Sequence, residues 1–147
     1  MTNNNLNITL SFDQTPAQVF AAINDVRGWW SANLEGSSAH VGDEFRYRHG
    51  DIHDSSQRVI EAVPGKKVEW LVTDARLSFT KDKREWVGTH VQFEIVPTAR
   101  GSELRFTHLG ITPESECFDR CSKGWGFYVG TSLKELIANG VGQPDRT

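Results

Sequence analysis

Sulfur and proline are scarce in this chain: its 147 residues include two cysteines, one methionine and five prolines. Two thiols cannot build a multi-bridge framework, so a hydrophobic core has to hold the fold, and a chain of this length can bury one. Cys117 and Cys121 stand four apart in a segment that reads as helix. Side chains at that spacing are neighbours but disulfide geometry is awkward, so both are expected to be thiols in a reducing, cytoplasmic compartment. Long apolar runs are also lacking, so no membrane span is expected. The opening MTNNNLNITL has neither the basic flank nor the apolar stretch of a secretion signal. Neither charge sign dominates: 16 basic against 19 acidic residues give a net charge of −3. Lysine and arginine form no stripe, so no nucleic-acid partner is expected. No phosphate loop or nucleophile triad is present, and no motif calls for a cofactor.

What is present is strand, strand and more strand between two helical segments. Leu6, Ile8, Leu10 and Phe12 alternate with polar neighbours, the pattern of a half-buried first strand. Thr15, Pro16 and Gln18 then supply an N-cap, a proline at the first helical position and the distal partner of a capping box. Val19, Ile23 and Val26 share a face of this helix, which is expected to break at Gly28, before Trp29 and Trp30. Phe45, Tyr47 and His49 alternate with charged residues on the next strand, after which GDIHDSS reads as a turn. Two apolar runs around Pro64-Gly65 read as a hairpin, with Val68, Trp70 and Val72 on one face. DARLSFTKDKREW is expected to be a short strand, with Leu77 and Phe79 inward, and a charged loop. Two late strands follow, one with Val91, Phe93 and Ile95 inward, the other with Leu104, Phe106 and His108. A long helix is predicted to open at Thr112-Pro113 and stop at Gly140, with Phe118, Cys121, Trp125, Val129, Ser132, Leu133 and Leu136 on its inner face. Strand, helix, about six antiparallel strands and a long helix make one α+β domain spanning residues 1–147, with an ordered core of about 5–140.

These segments resemble the helix-grip, START-like (SRPBCC) superfamily, and within it the family named for the C-terminal domain of the activator of Hsp90 ATPase. The resemblance is carried by TPAQVFAAINDVRGWW, VGDEFRYRHGD, VIEAVPGKKVEWLV, GTHVQFEIVP with GSELRFTHLGI, and KGWGFYVGTSLKELIANG. It implies a curved antiparallel sheet of about seven strands wrapped around the C-terminal helix, with a cavity between them for an apolar or aromatic small molecule. It does not select a chemistry, because such folds include lipid carriers, hormone receptors, cyclases and co-chaperone domains.

The expected lining of such a cavity is Trp30, Phe45, Tyr47, Trp70, Phe93, Phe106, His108, Cys121 and Trp125, whose flat aromatic walls suit a flat or apolar ligand. Ordinary core filling is the plainer explanation of some of them. His108 and Tyr47 are the weak candidates for acid-base work, and an inward imidazole can equally be satisfied by structural hydrogen bonds. Cys121 would need a base to act as a nucleophile, and a buried free cysteine ordinarily behaves as a small hydrophobe. His49, Asp51 and His53 lie in a turn-rich stretch and lack a further fixed ligand, so no metal is expected there. Trp86 and Phe127 read as outward, a small patch for a second copy or a protein partner. Gly124, Gly126 and Gly130 cost the helix about 1 kcal/mol each relative to alanine and call for a reason, a close strand or a kink. A binding module leads this reading; a cyclase or hydrolase using the same pocket, and a co-chaperone-like interaction module, are the alternatives.

Overall fold

The computed structural model describes residues 4–146. Seven strands form one antiparallel sheet: β1 (Leu6–Phe12), β2 (Glu35–Gly36), β3 (Glu44–His49), β4 (His53–Val63), β5 (Lys67–Leu77), β6 (His90–Pro97) and β7 (Ser102–Leu109). Their order across the sheet is β1-β7-β6-β5-β4-β3-β2, so the first strand closes beside the last, with Leu6 opposite His108 and Leu10 opposite Leu104. The helices are α1 (Pro16–Asn24), α2 (Val26–Trp29) and a long C-terminal helix that the curved sheet grips.

The first helix starts as its sequence dictates. The Thr15 hydroxyl accepts from the Gln18 N–H at 3.2 Å while the Gln18 side chain accepts from the Thr15 N–H at 2.9 Å. It ends at Asp25 rather than at Gly28, which sits inside α2. That short second helix turns Trp29 and Trp30 into the interior, where both are buried. The turn expected after β3 is only residues 50–52, and His53 already pairs with His49 as the first residue of β4. Register shifts at Ser56/Gln57 and Val59/Glu61 bend β4, the way bulges curve a sheet around its contents.

The C-terminal helix begins at Phe118, five residues after Pro113, because residues 113–117 are taken up by turns. It runs as α3 (Phe118–Phe127), a π-helical stretch (Tyr128–Leu133) and α4 (Lys134–Asn139), and ends on Gly140 at φ 83°. The π turn has a physical reason. Cys121, Trp125, Val129, Leu133 and Ile137 recur every four residues and all are buried. On a helix of about 3.6 residues per turn such a file drifts by about 40° per step, and a local wide turn takes up the drift. Ile137 is therefore the buried residue of the last turn, and the expected Leu136 is only partly buried.

Trp125 is the helix's main anchor. Its ring lies 4.9 Å from Phe106, 5.0 Å from Trp30 and 5.9 Å from Trp86. Trp125→Ala should lower stability by about 3–5 kcal/mol, the range for truncating a buried aromatic. Urea unfolding measures this directly, and a cost of a few tenths of a kcal/mol would show that the helix does not depend on this contact.

Candidate functional site

The interior divides in two. On one side of Trp125 the space is filled. Trp29, Trp30 and Trp70 stack, with Trp30 and Trp70 nearly parallel at 3° and 5.9 Å; Phe45 and Phe93 pack edge-on to Trp70, and Phe106 edge-on to Phe93. On the other side lies a cavity of about 380 Å³ between α3 and the β3–β4 hairpin. Its aromatic walls are Trp30, Tyr47, Phe79, Trp86, Trp125 and Tyr128. His49, Ile52, His53, Arg120, Cys121, Lys123 and Gly124 complete the lining.

Of the nine residues expected to line a cavity, Trp30, Tyr47, Cys121 and Trp125 do so. Phe45, Trp70, Phe93 and Phe106 belong to the filled half: Trp70 is part of the tryptophan stack, Phe45 and Phe93 pack edge-on to it, and Phe106 is covered by Phe93 and Trp125. His108 also stays behind the wall. It is fully buried, accepting the Trp125 Nε1–H on Nδ1 at 3.0 Å, so its own proton sits on Nε2 and is donated to Thr89 Oγ1 at 2.8 Å. Thr89 in turn donates to the Trp86 carbonyl at 2.6 Å. Burial pushes the His108 pKa down to about 3. This imidazole is a fixed neutral spacer that ties the grip helix to β7 and the loop before β6.

Trp86 corrects the expected outward patch: it is buried, stacked on Trp125 at 10°, and donates its indole N–H to Cys121 Sγ at 3.3 Å. Phe127 is exposed as expected, its ring edge-on to Tyr128 and not beside Trp86. Cys117, too, is buried, its thiol pKa raised by the hydrogen bond with Cys121 and by burial. Among the described residues no imidazole or carboxylate is hydrogen-bonded to the Cys121 sulfur, which leaves this thiol without a base to activate it.

The polar end of the cavity is built by residues far apart in sequence. Beyond Gly140 the chain folds back, and Asp145 joins Trp30 and Ala32 through two backbone hydrogen bonds of 2.8 Å. This strap places the Asp145 carboxylate, almost fully buried, 2.6 Å from His49 Nδ1 and 3.3 Å from the Tyr47 hydroxyl. Tyr47 and Tyr128 hydroxyls are 3.3 Å apart. Burial, first, keeps both phenols protonated, with the Tyr128 hydrogen bond adding to the effect on Tyr47. His53 packs edge-on against the Tyr47 ring at 5.0 Å but makes its hydrogen bond elsewhere: its Nε2 meets Ser55 Oγ at 2.8 Å, and burial lowers its pKa to about 4. His49, Asp51 and His53 thus do not converge, and among the described residues no three His, Cys, Asp or Glu side chains could hold one metal ion.

Two of the three helix glycines, Gly124 and Gly130, have an explanation in the structure. A Cβ added at Gly124, Gly126 or Gly130 would meet nothing within 4 Å, so close approach of a strand is not the reason for any of them. Gly130 lies in the π turn. Gly124 lines the cavity, and its missing side chain is cavity volume.

Sequence alternation found the inward strand residues, Phe79 and Tyr47 among them, but did not place Phe79 in the lining and missed the hairpin tip, Trp86, Tyr128 and Asp145. Tyr128 had a usable signal, three residues after Trp125 on the helix. Asp145 had none, lying past the helix stop.

The family described as Activator of Hsp90 ATPase homolog 1-like protein matches residues 13–138. Similar solved structures include the Aha1 dimer from Colwellia psychrerythraea, at 21% identity and a TM-score of 0.73, covering 92% of this chain and 97% of that one. Protein MLL2253 from Mesorhizobium loti has 16% identity and a TM-score of 0.70, over 89% and 93% of the two chains. Protein CV1439 from Chromobacterium violaceum has 19% identity and a TM-score of 0.64, over 92% and 98%. At these identities the likeness is one of fold. Among curated proteins nothing matches the chain.

The His108 geometry predicts its behaviour in acid. The folded pKa is depressed below the unfolded value, so the unfolded chain takes up the proton first, and stability present above about pH 6.5 is lost as pH falls toward the folded value. NMR should find His108 neutral, with its proton on Nε2, from pH 8 down to 4. A ring titrating near 6.5 in the folded protein would contradict the assignment.

Proposed function

We propose that this chain, which belongs to the Activator of Hsp90 ATPase homolog 1-like protein family, binds a small, largely aromatic molecule in the cavity between the grip helix and the β3–β4 hairpin. The observation that carries this reading is the cavity itself: about 380 Å³, walled by six aromatic rings, and kept open by a glycine on the helix that faces it. That volume falls within the usual range for ligand pockets of roughly 300–1,000 Å³. Tyr47 and Tyr128 supply the few directional polar contacts, and the rings supply area. Two buried free thiols support a reducing, cytoplasmic setting, and among the described residues no helix is long and apolar enough to cross a membrane.

Neutral aromatic probes such as 2-naphthol should bind at one site and change the emission of Trp30, Trp86 and Trp125. Gly124→Leu fills the space in front of the helix. It should abolish the response while leaving the melting temperature equal or higher, since leucine is a better helix former by about 0.8 kcal/mol. No emission change with any probe in the wild-type protein would count against the binding reading.

A homodimer is the second reading, favoured by the likeness to a structure described as an Aha1 dimer. Sedimentation equilibrium should give twice the chain mass, and a single-chain mass at all concentrations would exclude it.

A further inference from the structure

The cavity has two chemically different ends, and their separation is set by the helix. Arg120, Gly124 and Tyr128 lie four residues apart along one ridge of the helix, all three against the cavity. Eight residues at about 1.5 Å rise put Arg120 and Tyr128 about 12 Å apart along the axis. At the Tyr128 end, the Tyr47 and Tyr128 hydroxyls meet, backed by the Asp145 carboxylate. At the other end, Arg120 and Lys123 are exposed, and neither forms an ion pair or a hydrogen bond among the described residues. The Arg120 guanidinium is held over the Phe79 ring at 4.8 Å, which fixes its position at the cavity edge.

The rest of the lining is mainly aromatic surface, with Ile52, His53, Cys121 and the open space at Gly124. An anion is attracted to the two cations at the Arg120 end, while at the other end Asp145 and His49 are already paired with each other at 2.6 Å; a hydroxyl suits the paired phenols there and would gain nothing from Arg120 and Lys123. We infer that the ligand is a hydroxyaryl carboxylic acid, with its carboxylate at Arg120 and Lys123, its ring over Gly124 and its hydroxyl at Tyr47 and Tyr128. This inference rests on the binding reading above and adds the ligand's class and orientation to it. A carboxylate and a para hydroxyl at opposite ends of an extended aromatic molecule match the direction and scale of the two polar ends.

Calorimetry with 4-hydroxycinnamate, its methyl ester and cinnamate tests this. The acid should bind the wild-type protein about tenfold more tightly than the ester, the scale of one charge-assisted contact. In the Arg120→Ala, Lys123→Ala double variant that preference should fall to within about twofold; both side chains are exposed, so folding should survive. Cinnamate should bind about three- to tenfold more weakly than 4-hydroxycinnamate, and Tyr128→Phe should narrow that gap. Equal binding of acid and ester, an acid preference that persists in the double variant, or acid binding that survives Gly124→Leu would each overturn the inference. If 2-naphthol binds and the acid does not, the inference falls and the binding reading stands. If nothing binds, both fall.

Discussion

Trp125 is the contact on which the interior depends. Its ring packs on Trp30 and Phe106, its N–H is given to His108, and the ring itself walls the cavity. It thereby separates a filled aromatic core from an unfilled space, and the two halves have different physical jobs. The core supplies the burial that stabilises the domain. The cavity forgoes such burial, and its cost is tolerable because the core half is dense with large side chains, among them Trp29, Trp30, Trp70, Phe45, Phe93 and Phe106, all almost fully buried.

The polar groups inside follow the same division. Behind the wall, every step of the Trp125–His108–Thr89–Trp86 chain has a donor matched to an acceptor, so the imidazole is spent on holding structure. At the cavity's polar end, Tyr47, Tyr128, His49 and Asp145 also meet one another, but at the edge of an open space, where a ligand can exchange for one of these contacts. The Asp145 strap is what makes this end polar. Its backbone bonds to Trp30 and Ala32 tie the tail to the tryptophan pair that begins the core.

The fold was largely legible in the sequence because each element repeats its own period: alternation in β1, β6 and β7, a capping box before α1, a glycine stop after the last helix. The site was legible in part. Alternation says which way a strand residue faces, and so it found Tyr47, but it cannot say whether the space ahead of an inward ring is filled. Phe93 and Phe106 therefore read the same as Tyr47, although Trp70 covers Phe93 and Trp125 covers Phe106. Trp86 lies in a charged irregular loop with no period to orient it, and Asp145 reaches the site only through tertiary folding of the tail. The π turn was hidden because a spacing of four fits an α-helix locally and departs from it only over several turns.

The division of the interior by Trp125 is best tested by amide chemical-shift mapping during titration with a bound aromatic acid. The account predicts shifts concentrated at Tyr47 to His53 and at Arg120 to Tyr128, with Val68, Phe93 and Phe106 little changed. Shifts centred on Phe93 and Phe106, or on the outer sheet face around Gln92 and Arg105, would contradict it.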